Sequence, residues 1–151
     1  MKNIEDLSLK EKIGQKFIIG FDEKENVLEK IEDTIKNYKI GGILLYKKNY
    51  KNYDEFIDLV NNIRKINKKY SKIPILISID QEGGRVNRIP KDFLNMPSSF
   101  KLAQNGGKEL VEQSASVTGK ILKNLGINMD FAPVLDIKRF QESQAIRRQG
   151  I

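Results

Sequence analysis

Four charged side chains fall within nine residues in the segment Asp80-Gln81-Glu82-Gly83-Gly84-Arg85-Val86-Asn87-Arg88. Asp80 and Glu82 are acceptors, Arg85 and Arg88 are forked donors, and the glycine pair lets the backbone turn sharply and come close to a ligand. Such a set suits a polyhydroxylated molecule. A carboxylate can take hydrogen bonds from two hydroxyls, while a guanidinium gives a fork of bonds to hydroxyl or carbonyl oxygens. The same residues can equally form an arginine–carboxylate network that does no more than order a long loop. A phosphate loop is a poorer match, because neither G-x-G-x-x-G nor the Walker pattern is present.

The segment directly follows Ile75-Leu76-Ile77-Ser78-Ile79, an apolar run led by Pro74 that reads as a buried strand. Similar runs are Phe17–Phe21, Ile43–Tyr46 and Ile127–Val134. Helical spacing separates them. Ser8 and Glu11 make a capping-box pair opening a short helix that Gly14 ends. Val27, Leu28, Ile31, Ile35 and Tyr38 share one helical face, as do Tyr53, Phe56, Ile57, Val60, Ile63 and Ile66. After a long loop, Leu110, Val111, Ser114, Val117, Ile121 and Leu125 mark a further helix that Gly126 closes.

Strands apolar throughout belong to parallel sheets covered by helices, so the alternation predicts an α/β fold with right-handed crossovers. Pattern alone fits either a doubly wound sheet or part of a (β/α)8 barrel. In both, loops at the carboxyl ends of the strands hold ligands, which is where Asp80 stands. A complete barrel takes about 250 residues, so four strands in 151 residues make one domain, 1–151, of half-barrel size.

With no cysteine or histidine, the chain has neither a thiolate nor an imidazole for catalysis or metal binding. No cofactor or metal is expected. The net charge of +7 comes mostly from lysine, concentrated at residues 47–51 and 64–72. We read these clusters as solvated helix faces rather than a nucleic-acid surface, since no nucleic-acid motif accompanies them. The charged N-terminal segment and the lack of an apolar stretch of roughly 18–20 residues predict a cytoplasmic protein without a membrane span.

The Asp80–Arg88 segment resembles the D-Q-E-G-G-x-V-x-R motif of family 3 glycoside hydrolases, in the bacterial β-N-acetylhexosaminidase branch. Three further segments match that family in order: Lys12-Ile13-Gly14-Gln15-Lys16-Phe17, Ile40-Gly41-Gly42-Ile43, and Gly126–Asp136. The resemblance implies a (β/α)8 TIM-type barrel, of which about four parallel strands with covering helices are present. It implies hydrolysis of terminal non-reducing N-acetyl-β-glucosaminides, of the kind that recycles cell-wall muropeptides. Asp80 matches the aspartate that holds hydroxyls of the terminal sugar, and Arg88 matches a substrate-binding arginine. Asp130 and Asp136 flank the fourth strand, where aspartates also serve as loop caps.

Retaining family members need a nucleophile and a separate proton donor. The resemblance assigns these to an aspartate late in the barrel and to a histidine on a mobile loop, so no catalytic residue is expected among residues 1–151. After Ala145-Ile146 the family continues Gly, an acidic residue, Arg, whereas Arg147-Arg148-Gln149 stand here. Arg-Arg-Gln can be encoded AGG-AGA-CAG, which read one base later begins GGA-GAC-AG, so a single-base insertion would give this tail. The expectation is therefore a truncated, inactive hydrolase. The competing reading is a non-catalytic carbohydrate-binding or regulatory half-barrel. Either leaves two unpaired sheet edges, from which self-association is expected.

Overall fold

A computed structural model of the chain describes residues 4–22 and 26–135. The elements run α1 (Leu9–Gly14), β1 (Ile18–Gly20), α2 (Val27–Tyr38), β2 (Gly42–Leu44), α3 (Tyr53–Tyr70), β3 (Leu76–Ile79), α4 (Ser99–Asn124) and β4 (Met129–Asp130). The strands form one sheet in the order β1-β2-β3-β4, and every neighbouring pair is parallel. That order decides between the two α/β architectures. A doubly wound sheet reverses direction at a switch point, whereas a barrel adds each strand beside the last. Four strands in chain order without a reversal are one side of a barrel.

Local chemistry starts the helices where the spacing predicts. Ser8 Oγ accepts from the Glu11 N–H at 3.2 Å, and Glu11 Oε2 accepts from the Ser8 N–H at 2.9 Å, closing the capping box. Asn52 caps α3 by accepting from the Glu55 N–H. The faces of α2 and α3 bury Ile31, Ile35, Phe56, Leu59, Val60 and Ile63 against Ile43, Ile77 and Ile79 of the sheet. Tyr38 is the exception: at the last turn of α2 it is 63% exposed.

The other side of the sheet carries Ile18, Gly20, Gly42, Leu44, Leu76, Ser78 and Met129, which the register aligns across the strands. Leu76 there is exposed. The strands are thus apolar throughout, but only their helix-facing side is fully covered among the described residues.

Two elements differ from their expected bounds. α4 begins at Ser99 rather than near residue 110, with Ser98 as its cap. At Gly107 the backbone leaves helical geometry (φ 59°, ψ −158°), so α4 is two helical stretches meeting at a kink, and the second is the helix that the spacing from Leu110 to Ile121 predicts. β4 has two residues, Met129–Asp130, instead of the eight from Ile127 to Val134, its pairing with β3 ending at Ile79 and Asp130. At its other end Asn128 extends the ladder by side chain: Oδ1 accepts from the Ile77 N–H at 2.7 Å and Nδ2 donates to the Ile75 carbonyl at 3.1 Å.

Asn128→Ala should therefore cost about 2–3 kcal/mol, the range for two part-buried hydrogen bonds whose backbone partners are left unpaired. Urea unfolding of the two proteins measures it; an unchanged midpoint would show that water replaces the amide without loss.

Candidate functional site at the carboxyl edge of the sheet

Gly20, Leu44, Ser78 and Met129 are mutual neighbours across the four strands. Two residues further on come Asp22, Tyr46, Asp80 and Phe131, which by alternation rise on the same side of the sheet. Hydrogen bonds from Leu45 N to Ser78 O (2.9 Å) and from Phe131 N to Ile79 O (2.8 Å) carry the register past the strand ends. Tyr46 confirms its direction directly. A Cβ on Gly20 would sit 2.4 Å from Cε2 of its ring, so the ring occupies the space that a side chain at position 20 would fill. Asp22 is ion-paired with Lys48.

Asp80 leaves β3 on this side and meets Arg88 in a two-point fork: Nε donates to Oδ1 and Nη2 donates to Oδ2, both at 2.7 Å. Both side chains keep about a quarter of their surface, at 28% and 26%. The fork uses two of the roughly four acceptor positions of a carboxylate, so Asp80 can still accept from hydroxyl groups. The Asp80 hydrogen bond, the first of several causes, holds Arg88 still more firmly in its charged form.

The loop returns to its own start through a tight hairpin. Glu82 N and Gly83 N donate to Val86 O, and Val86 N donates to Gly83 O, each at 3.1 Å. Gly83 and Gly84 take φ 82° and 58°, the left-handed region that side chains resist, and a Cβ on Gly83 would lie 2.6 Å from Pro97 O. The hairpin sends Arg85 outward, where it is exposed, so the four charged residues do not converge as one set.

Residues that the spacing of charges does not single out hold this arrangement. Gln81 is 3% exposed. Its Oε1 accepts from the N–H groups of Arg88 (2.7 Å) and Ile89 (3.1 Å), while its own N–H donates to Asp130 Oδ1 (2.9 Å). Asp130 thus caps the loop across the sheet; Asp136 lies outside the described residues. Lys47 Nζ donates to Ile89 O at 2.6 Å and stands 5.6 Å from the centre of the Tyr50 ring. Tyr50 is buried, its hydroxyl has no partner among the described residues, and burial pushes that hydroxyl well above its ordinary range. The available signal for Gln81 was a polar residue two positions beyond an apolar strand; Tyr50 carried none.

Burial raises the carboxyls of both Glu82 and Asp130. Asp80 adds to each, while Arg88 opposes the rise at Glu82 and the Gln81 N–H opposes it at Asp130. Among the described residues no group of three or more His, Cys, Asp or Glu is placed to hold a metal ion, and no helix is long and apolar enough to cross a membrane.

An acid raised by folding ionises less readily in the native state than in the unfolded chain. Its ionisation therefore removes stability as pH climbs from its ordinary value of 3.8 through the raised one. Asp130→Asn keeps an acceptor for the Gln81 N–H and abolishes that loss. The variant should gain on the wild type as pH goes from 3 to 7 in urea unfolding; a stability difference flat with pH would remove Asp130 from the account.

The fold and sequence have counterparts among known proteins. Residues 8–149 match the model of the Glycosyl hydrolase family 3 N terminal domain. The chain is 36% identical over 112 residues to Beta-hexosaminidase A of Pseudoalteromonas piscicida, covering 71% of this chain and 19% of that protein. It is 34% identical over 106 residues to a Beta-hexosaminidase of Photobacterium profundum, covering 70% and 30%. A glycoside hydrolase family 3 β-N-acetylglucosaminidase from Paenibacillus superposes with a TM-score of 0.81 at 36% identity, over 87% of this chain and 25% of that one. The chain thus spans between a fifth and a third of the length of these relatives, and with four strands in barrel order and a family match along nearly its whole length it belongs to family 3 of the glycoside hydrolases, as part of that family's N-terminal barrel domain.

Proposed function

We propose that this chain forms one side of the mouth of a barrel that binds a terminal N-acetylglucosamine, with Asp80 accepting from its hydroxyls and Arg88 donating to its oxygens. The observation that carries the reading is the Asp80–Arg88 fork, placed at the carboxyl end of β3 with both groups still a quarter exposed. Relatives named as β-hexosaminidases and a β-N-acetylglucosaminidase support the sugar class. In the whole protein the reaction proposed is hydrolysis of terminal non-reducing N-acetyl-β-glucosaminide bonds. Cell-wall muropeptides are the source that the family resemblance suggests.

We assign no bond cleavage to these residues by themselves. Retention needs a free carboxylate as nucleophile and a separate proton donor flanking the glycosidic bond. Asp80 is committed to Arg88 and Asp130 to the Gln81 N–H, and the chain has no histidine to serve as proton donor.

Titration of the labelled 151-residue chain with N-acetylglucosamine, followed by NMR, tests the binding reading. Shifts should centre on residues 80–90 with millimolar affinity, about 4 kcal/mol, and Asp80→Asn should weaken binding about tenfold or more, given a charge-assisted bond. Submicromolar binding would instead favour a self-sufficient carbohydrate-binding module.

The same preparation should leave an aryl N-acetyl-β-glucosaminide at its uncatalysed rate of hydrolysis. Removing a catalytic group commonly costs several powers of ten. Turnover that follows the protein through purification and disappears in Asp80→Ala would overturn the assignment.

A further inference from the structure

The mouth layer holds one large side chain with no role in the arrangement just described. Asp22 is paired with Lys48, Tyr46 fills the space above Gly20, and Asp80 is forked to Arg88. Phe131 completes the layer and is 46% exposed. The bond from its own N–H to Ile79 O holds it beside the end of β3, next to the point where Asp80 leaves that strand. A flat apolar ring therefore adjoins a polar clamp that already satisfies itself without enclosing anything.

A β-linked N-acetylglucosamine has this same division of chemistry. Its substituents are equatorial, so hydroxyls project round the rim while the faces of the ring present axial C–H bonds. A carboxylate–guanidinium pair reaches the rim and cannot recognise a face. An aromatic ring can, because its negative π surface attracts the weakly positive C–H bonds and its area is taken out of water on contact.

The geometry points to Phe131 as the stacking surface of this sugar site, receiving the C–H face of the N-acetylglucosamine whose hydroxyls Asp80 holds. The inference rests on the sugar-binding reading and adds what that reading leaves open: how the ring is oriented, and how the site would distinguish a sugar ring from an open-chain polyol. Ring stacking also differs from simple apolar filling. A barrel interior needs volume at position 131, which leucine supplies; a stacking platform needs a flat face, which leucine lacks.

The test is proton NMR of N-acetylglucosamine in the presence of the purified 151-residue chain. Bound sugar should show its axial ring protons moved upfield by the current of the Phe131 ring, with the N-acetyl methyl signal moved less. Phe131→Leu should abolish that upfield shift and weaken binding about three- to tenfold, whereas Phe131→Tyr should keep both. The upfield shift in the wild type reads the contact without any substitution, so a variant that fails to fold does not remove the test. Binding without the shift, with Phe131→Leu equal to the wild type, overturns the stacking role and leaves the Asp80–Arg88 reading standing. No binding by the wild type up to about 100 mM, where even a very weak site would fill, overturns both. Equal affinity for sorbitol, which has hydroxyls but no ring face, overturns the stacking role as well.

Discussion

A loop that leaves β3 at Asp80 must come back eight residues later for Arg88 to reach its partner, and a single amide side chain makes that return possible. Gln81 is fixed at its backbone, where the N–H is held by Asp130 on β4, and it then uses its side-chain oxygen to receive two successive N–H groups from the far limb of the loop. Without those acceptors Arg88 N and Ile89 N would be left in an interior where an unmade hydrogen bond costs about 1–3 kcal/mol. The guanidinium would also lose the backbone that aims it. The polar pair at the mouth thus depends on a buried group that touches neither of its charges, and Lys47, bound to Ile89 O, secures the same limb from the β2 side.

The sheet below explains why these groups stand at one level. Parallel pairing keeps Gly20, Leu44, Ser78 and Met129 in line, and Ser78 adds a bond from its Oγ to Ile43 O inside the sheet. Each strand then delivers its next same-side residue at the same height, which collects side chains from four separate stretches of sequence. The Asn128 amide extends the start of β4 against β3. A shift of that strand by one residue would move Asp130 away from Gln81 and turn Phe131 to the opposite side of the sheet.

How far the sequence announces this arrangement follows from the range of each interaction. The capping box of α1 and the buried faces of α2 and α3 were legible, because three- and four-residue spacing is local chemistry. The Asp80–Arg88 pair was legible for a related reason: its members are eight residues apart with a glycine turn between them. Strand order was not, since composition does not record which strand lies beside which. The helical stretch before Gly107 was hidden because helical geometry ends at that glycine, so the spacing from Leu110 onward marks only the second stretch of α4. The partners of Gln81 and Asn128 were hidden because each acts on backbone atoms brought close by the fold, Asn128 on Ile75 and Ile77 some fifty residues earlier.

Charge bookkeeping at the mouth narrows the kind of ligand that fits there. The chain as a whole carries +7, which favours anions at long range. At the carboxyl edge of the sheet, however, Lys48 faces Asp22, Arg88 faces Asp80, and the half-buried carboxyls of Glu82 and Asp130 are raised, so that adding more negative charge there is already resisted. Burial likewise pushes Lys47 toward its neutral form, and its amine is occupied by Ile89 O. A phosphate or carboxylate ligand would have to draw a cation from an existing partner. A neutral molecule with many hydroxyls needs no such exchange, because it uses the acceptor positions and N–H groups that the forks leave over. On the proposed sugar-binding reading, hydrogen-bonding capacity rather than charge would decide what the mouth accepts.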